Sequence, residues 1–252
     1  MNGDTDISAL GALLADPARC RVLLALADGR ALAASVLAAE AGVAPSTVSA
    51  HLRKLLDGNL LSVEAHGRHR YYRLVGPHVA QLLESLAAHA PPSPVRSLRE
   101  GTRAHAVRQG RYCYDHLGGR LGVALMTALL SREILTGGDG GFHPDKTQTD
   151  RLSAPGRDID YRLTDSGVQT LRDFGIDLDA LSAHRRPLIR YCLDWSEQRH
   201  HLAGALGAAL AQLLFARAWL RPAERGRAVF LTDAGARGLK SSFGIELVIR
   251  RP

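Results

Sequence analysis

The feature that most constrains the fold of this chain is an internal repeat in its C-terminal part. Residues 111–115 read Arg-Tyr-Cys-Tyr-Asp, and residues 190–194 read Arg-Tyr-Cys-Leu-Asp. A His-Leu block, a Leu-Thr-Asp-x-Gly block and a Phe-Gly-Ile block then follow in the same order in both copies. Matched blocks of this kind indicate two copies of one structural unit. We therefore predict a duplicated domain with repeats at about residues 111–178 and 190–247.

Each copy is predicted to contain a helix, a second helix, a short strand and a final helix. The Thr-Asp pair is expected to cap the final helix, because these side chains accept hydrogen bonds from free backbone amides. The strand and capped helix resemble the end of a winged helix. Residues 121–130 and 202–215 are strongly apolar and offer no polar face for DNA. The pair is therefore predicted to serve sensing or dimerisation, with a Gly-rich loop near residues 137–158.

The first 90 residues show a different pattern, in which short helices precede a hairpin. Asp16-Pro17 begins a helix well, because Asp caps free amides and Pro suits the first turn. Gly42-Val43 predicts a tight turn, and prolines from residue 91 end the last helix. The helices are predicted at residues 16–29, 33–41, 45–57 and 78–89, and the hairpin at residues 61–74.

These patterns define a mainly α fold with small β-hairpins (α+β). An N-terminal winged helix-turn-helix for DNA binding and dimerisation is predicted at residues 1–90. A basic linker follows at residues 91–110. The duplicated effector or dimerisation domain then occupies residues 111–252.

The helix predicted at residues 45–57 has two chemically different faces. Its apolar stripe consists of Val48, Leu52, Leu55 and Leu56. The other face is polar and basic, as a helix that enters the major groove requires. Base contacts are predicted in the first turns, from Ser46, Thr47 and Ser49. Phosphate contacts are predicted from His51, Arg53, Lys54, His69 and Arg70, and Arg68 at the hairpin tip is placed to enter the adjacent minor groove.

These segments resemble the ArsR family of winged-helix repressors. The resemblance rests on residues 16–23 (DPARCRVL), residues 42–52 (GVAPSTVSAHL), Leu60-Leu61 and the hairpin from Gly67 to Tyr72. It implies a homodimer joined by the first and last helices of the domain. It also implies double-stranded operator DNA as a partner, released when a metal, metalloid, thiol oxidant or other inducer binds. The chain departs from the family at Ala44, where a capping Ser or Thr is common.

Composition narrows the functional class. The net charge is +7, yet the first 95 residues carry as many acidic as basic side chains, so the placement of charge matters more than its total. Three cysteines without an export signal favour a reducing cytoplasm, and no stretch is long and apolar enough for a membrane partner. Neither a phosphate-binding loop nor a nucleophile elbow occurs, so we expect no enzyme.

Metal-ligating and aromatic side chains occur at matching places in the two repeats. The predicted effector residues are Tyr112, Cys113, Asp115, His116, Tyr191, Cys192, Asp194, Trp195 and His201. Thiolates and imidazoles suit zinc or a soft metal(loid), and pseudo-twofold packing would bring the clusters together. The candidate metal ligands are Cys113, His116, Cys192, His200 and His201. The aromatic residues suit a pocket for an organic molecule, to which Tyr114, Phe215 and Trp219 would also contribute.

Three interpretations of the C-terminal half stay open. We favour a small organic effector that releases a dimeric repressor from its operator. The first alternative is a metal or thiol sensor built on Cys113 and Cys192, and the second is a module that only oligomerises. The metal sites of the ArsR family do not fit, because residues 35–40 lack cysteine and only His78 and His89 match the zinc-type pattern. The cofactor is therefore either absent or zinc or another metal(loid).

Overall fold

The computed structural model describes residues 7–66, 69–91, 98–143, 159–183, 185–224 and 226–247. Within these ranges the side chains of residues 66, 69 and 98–100 are left out of the description. The chain divides into two compact units, Met1–Leu83 and Glu84–Pro252. None of the helices in the described ranges is both long and apolar enough to cross a membrane.

The first unit has the order of elements of a winged helix-turn-helix, which confirms the prediction. Its elements are α1 (Ser8–Leu14), α2 (Pro17–Ala25), β1 (Leu32–Ala33), α3 (Ala34–Ala41), α4 (Pro45–Asp57), β2 (Leu61–His66) and β3 (His69–Leu74), and α5 (Pro77–His89) begins in it. The Asp16 carboxylate accepts hydrogen bonds from the backbone amides of Ala18 and Arg19, at 2.8 and 2.9 Å, and so caps α2. Gly42 adopts a φ of +67°, the left-handed conformation that the tight turn before α4 requires.

The sheet of this unit has three strands in the order β1-β3-β2. The hairpin of β2 and β3 was predicted, but β1 was not. It consists of two residues, and Leu32 pairs with Tyr72 far along the chain. The core beneath the sheet includes Val22, Leu23, Leu26, Leu37, Val48, Leu52 and Leu55, all at most 1% exposed.

The second unit contains the two repeats. Its elements are α6 (Leu98–Gln109), β4 (Arg111–Cys113), β5 (His116–Gly118), α7 (Gly119–Ser131), β6 (Leu135–Thr136), β7 (Arg162–Leu163), α8 (Asp165–Asp173), α9 (Leu178–Ser182), β8 (Arg190–Leu193), β9 (His200–Ala203), α10 (Gly204–Ala216), β10 (Leu220–Pro222), β11 (Val229–Leu231) and α11 (Asp233–Phe243). Each repeat therefore consists of a hairpin, a long helix, a strand pair and a final helix.

Two sequence predictions are corrected here. The Arg-Tyr-Cys segment that opens each repeat was predicted as a helix but forms the first strand of a hairpin. Most of the stretch predicted as a basic linker, residues 91–110, forms helix α6. It packs against α7 and β11 and buries Ala106, which gives it an apolar contact that a free linker lacks.

The caps of the final helices are equivalent, as the repeated Thr-Asp pair predicts. The Thr164 hydroxyl accepts a hydrogen bond from the backbone amide of Gly167 at 2.9 Å. The Thr232 hydroxyl accepts one from Gly235, also at 2.9 Å. The same local residues therefore produce the same helix start in both repeats.

The long helix of each repeat packs against the hairpin of the other. A Cβ atom added to Gly122 of α7 would lie 3.4 Å from the Cβ of His201, and one added to Gly207 of α10 would lie 3.3 Å from the Cβ of His116. The same Cβ atoms would also collide with the carbonyl oxygens of Leu117 and Leu202. Because glycine has no Cβ, each helix can lie close to both hairpins at these two positions, and the two hairpins are therefore next to each other.

Candidate functional site

Helix α4 presents the polar face that was predicted to read DNA. Val48, Leu52 and Leu55 are buried in the core of the first unit. On the opposite side the exposed residues include Ser46, Thr47, Ser49, Arg53 and Lys54. Ala44 precedes the helix and makes no side-chain cap, whereas Pro45 occupies the first turn. Pro45 lacks the backbone N–H that would otherwise need a partner there.

Two of the residues on α4 that were predicted to contact DNA also contact other residues of the chain. The Ser49 hydroxyl donates to the carbonyl oxygen of Pro45 at 2.8 Å, which leaves its oxygen as an acceptor. His51 is only half-exposed, and its Nε2 lies 4.0 Å from Oδ1 of Asp16. The side chain of His51 is therefore less accessible to DNA than the exposed side chains of Arg53 and Lys54.

The hairpin of β2 and β3 carries the remaining predicted DNA contacts. Arg70 is exposed on β3. Arg73 forms an exposed ion pair with Glu64 across the hairpin, at 3.1 Å. Arg68 lies outside the described residues, as does the side chain of His69.

The C-terminal unit holds a second cluster, which its two hairpins assemble. Cys113 on β4 is the cross-strand partner of His116 on β5. Cys192 on β8 is the cross-strand partner of His201 on β9. Directly opposite residues of an antiparallel pair present their side chains on the same face. Each hairpin therefore contributes one thiol and one imidazole.

These four side chains meet in the interior of the unit. One ligand atom from each residue lies within 4.8 Å of the other three. The residues are between 0 and 8% exposed. Both cysteines are free thiols, and a hydrogen bond with Cys192 together with burial raises the pKa of Cys113 to about 12. The Cys113 thiol is thus protonated, and it lies in a buried cluster with a second thiol and two imidazoles.

A carboxylate lies beside the Nδ1 atom of each imidazole. Asp115 Oδ1 is 3.2 Å from Nδ1 of His116, and Asp194 Oδ2 is 3.0 Å from Nδ1 of His201. The second contact has the distance of an ion pair without the alignment of a hydrogen bond. The Nε2 atoms of both rings are buried and have no hydrogen-bond partner among the residues that the structure describes.

Each carboxylate is itself held by an arginine. Arg186 binds both oxygens of Asp115 at the surface of the unit. Arg111 donates to Asp194 at 3.0 Å, and the backbone amide of Gly119 donates to the same oxygen at 2.6 Å. Burial raises the pKa of Asp194, but the adjacent His201 ring and the charge of Arg111 outweigh burial and hold this pKa well below its usual range. Asp194 is therefore a carboxylate in the folded chain.

The buried Arg111 connects this cluster to helix α5. Its Nη2 atom lies 2.9 Å from Oε2 of Glu84, and Arg227 binds the other oxygen of Glu84. Burial raises the pKa of Glu84, but the charges of Arg111 and Arg227 lower it to about 2. The network thus consists of two arginines and the carboxylates of Glu84 and Asp194, and their charges balance in the interior.

The fifth candidate ligand, His200, does not join the cluster. Its Nδ1 lies 2.8 Å from the hydroxyl oxygen of Tyr161, and its ring packs against Tyr191. Adjacent residues of a strand point to opposite faces, so His200 and His201 cannot both face Cys192. The prediction of His200 as a ligand is therefore wrong for the described arrangement.

The aromatic residues predicted to line an organic pocket pack on their neighbours. Tyr112 stacks on Phe215 with ring centroids 5.0 Å apart. Tyr191 meets the edge of Tyr161 at 5.5 Å, and the guanidinium of Arg111 lies 4.7 Å from the ring centre of Trp195. These contacts are typical of a packed core. The organic effector stays a prediction.

Sequence reasoning did not identify several residues that support the cluster. Glu84, Arg186 and Gly119 lie outside the matched Cys-containing blocks, and they reach the cluster only through tertiary packing. Arg111 was also absent from the predicted site residues. Its invariance between the two repeats was the available signal, because Arg190 occupies the same place in the second copy.

Known proteins that are similar to this chain include some that match only the first unit and one that matches nearly the whole chain. A family model described as a helix-turn-helix domain matches residues 14–64. The HTH-type transcriptional regulator YdfF of Bacillus subtilis (strain 168) is 35% identical over 242 residues, which cover 96% of this chain and 99% of YdfF. The match to YdfF therefore spans both units.

Other relatives match the N-terminal part. The HTH-type transcriptional regulator CmtR of Mycobacterium tuberculosis (strain ATCC 25618 / H37Rv) is 40% identical over 83 residues, or 33% of this chain and 70% of CmtR. A solution structure of a homodimeric winged helix-turn-helix DNA-binding domain from Mycobacterium bovis, a possible ArsR-family regulator, has 28% identity and a TM-score of 0.31. It covers 37% of this chain and 100% of that domain.

Proposed function

Because this chain belongs to the HTH-type transcriptional regulators, with an N-terminal winged helix-turn-helix of the ArsR kind, we propose that it is a homodimeric repressor that binds operator DNA through α4. The observation that carries the proposal is the two-faced structure of α4. Its apolar stripe is fixed in the core, and its exposed face carries hydroxyls in the first turns and two basic side chains farther along. A recognition helix needs this arrangement to enter the major groove in one orientation.

Different residues of the exposed face contact the bases and the phosphates. Ser46, Thr47 and Ser49 lie in the first two turns, where short side chains reach base edges. Arg53 and Lys54 lie farther along and neutralise phosphates, which supplies affinity but little sequence preference. Arg70 on the wing adds a further phosphate contact.

The exposed apolar surface of helix α1 is the observation that favours a dimer. Its sequence is mostly apolar, yet none of its residues is buried within the chain. Leu10, Leu13 and Leu14 are half-exposed, and Ile7 just before the helix is 74% exposed. A second copy of the chain would cover this surface. The two recognition helices would then reach successive major grooves about 34 Å apart, so small changes in the dimer alter operator affinity.

The C-terminal unit is proposed to receive the effector. Several of its aromatic rings pack against each other. By contrast, the ligand atoms of Cys113, His116, Cys192 and His201 lie within 4.8 Å of one another. This contrast favours the thiol and imidazole cluster over an organic pocket as the effector site.

The DNA-binding proposal is tested by selecting preferred duplexes from a random pool with the full chain and then measuring affinity at several salt concentrations. Arg53→Ala and Lys54→Ala should each weaken binding to all selected duplexes alike. Each should also reduce the slope of log affinity against log salt by roughly 0.9, the value for one lost phosphate contact. Ser49→Ala should instead change which sequences are preferred.

The matched control is Arg237→Ala, which removes one positive charge from an exposed position on α11. It should leave both affinity and salt slope unchanged. Equal effects of Arg53→Ala and Arg237→Ala would mean that only net charge matters, and the assignment of α4 as the recognition helix would then be wrong.

A further inference from the structure

We propose that Cys113, His116, Cys192 and His201 bind one tetrahedral Zn²⁺ ion between the two repeats of the C-terminal unit. The site deepens the proposed function by naming the class of effector, a thiophilic divalent metal. Its role in regulating DNA binding rests on that proposed function, whereas the metal site itself does not.

The geometry requires only small movements to close around a metal. In a tetrahedral site with bonds of about 2.3 Å to sulfur and about 2.0 Å to nitrogen, ligand atoms lie roughly 3.3 to 3.8 Å apart. The four ligand atoms of this chain lie within 4.8 Å of one another. The two hairpins also fix the backbone at all four positions, since Cys and His are direct cross-strand partners in each.

The donor set selects the metal. Two sulfurs and two imidazole nitrogens suit Zn²⁺ and other soft or borderline ions, whereas Mg²⁺ and Ca²⁺ prefer oxygen ligands. Two thiolates balance the charge of a divalent ion, so the occupied site is neutral and compatible with burial. All four ligands come from the protein, as in structural or sensory zinc sites rather than catalytic ones.

The surroundings also match those of a metal centre. A metal-bound histidine usually has its other ring nitrogen oriented by a carboxylate or carbonyl. Asp115 and Asp194 occupy that place beside Nδ1 of His116 and His201. Both Nε2 atoms are left buried and without a hydrogen-bond partner among the described residues. Buried polar atoms are rarely left so, and a metal would satisfy both.

The site joins the two repeats. Each repeat supplies one Cys and one His, and the long helix of each repeat lies against the histidine of the other at Gly122 and Gly207. Through Asp194 and Arg111 the same site is connected to Glu84 on α5. Loss of the metal would therefore loosen the packing between the repeats and alter the surroundings of Glu84.

The direct test is metal content and spectroscopy of the full chain, purified under reducing conditions without chelator. We expect one zinc per chain by elemental analysis. Replacement of zinc by Co²⁺ should give the visible absorption of a tetrahedral ion and a sulfur-to-cobalt charge-transfer band. A chain that binds less than a tenth of an equivalent of either metal, or octahedral cobalt without sulfur ligation, would overturn the proposal.

Variants locate the metal. Cys113→Ser and Cys192→Ser should each lower zinc affinity roughly 100-fold and reduce the charge-transfer band of the cobalt form to about half, because one of the two sulfur ligands is lost. Cys20→Ser is the matched control, because Cys20 is a free thiol on α2 whose sulfur donates to the carbonyl oxygen of Leu14, a bond that serine retains. Unchanged zinc affinity in both cluster variants would overturn the assignment.

A second variant guards against misfolding of the ligand variants. Asp115→Asn leaves all four ligands in place and removes only the charge beside His116. It should retain one zinc per chain with affinity lowered about 10- to 100-fold, the usual effect of removing such a carboxylate. A disulfide between Cys113 and Cys192 in protein kept under reducing conditions would show that the thiols pair with each other instead, against the proposal.

The regulatory part is judged separately. Operator affinity of the full chain is measured with zinc bound and after chelation, and we expect a change of at least tenfold. Equal affinities would refute zinc as the effector, although the zinc content and cobalt spectrum would still establish the site. Failure of the chain to bind any duplex would instead refute the proposed DNA-binding function and leave the metal result intact.

Discussion

The two hairpins of the C-terminal unit share their key residues but differ in how deeply their aspartates are buried. The side chain of Asp115 is 27% exposed and pairs with the surface residue Arg186. The side chain of Asp194 is 0% exposed and pairs with Arg111, which is equally buried. The Cys and His of each hairpin are nevertheless buried alike.

The difference comes from residues outside the repeated blocks. Arg111 and Arg190 occupy the same place in the two copies, but only Arg111 is fully buried. Glu84 provides Arg111 with a second carboxylate, at 2.9 Å. A buried arginine requires such partners, since removing one leaves an uncompensated charge. The repeat therefore specifies the Cys-His pair, whereas partners from elsewhere decide how much each aspartate contributes to stability.

The largest expected effect comes from neutralising the two aspartates in turn. Asp194→Asn should lower the free energy of unfolding by about 3 kcal/mol or more, because it breaks a buried charge pair. Asp115→Asn should lower it by about 1 kcal/mol or less, because water screens the exposed pair with Arg186. Urea denaturation of the chain at pH 7 after removal of metal by a chelator measures both losses, and equal losses would contradict the comparison.

A smaller loss of stability is expected from replacing Glu84, which binds Arg111. Its folded pKa of about 2 lies below the ordinary value of 4.5, so its contribution to stability is complete above pH 4.5 and is lost as the pH falls toward 2. This depression corresponds to roughly 3 kcal/mol as an upper bound. Glu84→Gln should thus reduce stability at pH 7, and its deficit should shrink in acid.

The control for Glu84 is Glu246→Gln, which removes an exposed carboxylate paired with Lys240. Thermal unfolding of wild type and both variants between pH 7 and pH 3 provides the measurement. A deficit of Glu84→Gln that grows as the pH falls would show that Glu84 is not a stabilising carboxylate.

The smallest loss of stability is expected from removing the cap of the final helix, and this loss should be the same in both repeats. Thr164→Ala and Thr232→Ala each remove one helix cap with a 2.9 Å hydrogen bond, at a loss of about 1 kcal/mol. Because the caps are local, the two losses should agree within a few tenths of a kcal/mol. A difference above 1 kcal/mol by urea denaturation would show that the final helices of the repeats are not equivalent.

Local signals explain why the first unit could be predicted from sequence. The cap at Asp16, the turn at Gly42 and the apolar stripe of α4 each act within a few residues, and the structure contains all of them. Strand β1 was missed because two residues carry no periodic pattern. It is defined only by its pairing with β3.

The hairpin of the first repeat was predicted as a helix for a physical reason. A spacing of three residues puts Cys113 and His116 on one face of a helix, but it also suits a two-residue turn between paired strands. The turn residue Tyr114 has a φ of +62°, a conformation usually adopted by Gly or Asn. The ordinary turn signal was therefore absent from the sequence.

The chemical groups that each repeat supplies follow from the sequence alone, because the matched blocks contain the cysteine, the aspartate and the histidine. The helix caps and the two-faced character of α4 also follow from the sequence, because they depend on neighbouring residues. The folded structure places His201 rather than His200 opposite Cys192, because that choice follows from strand pairing. It also decided that the two hairpins meet and that Asp194 is buried, because both depend on contacts between residues far apart in the chain.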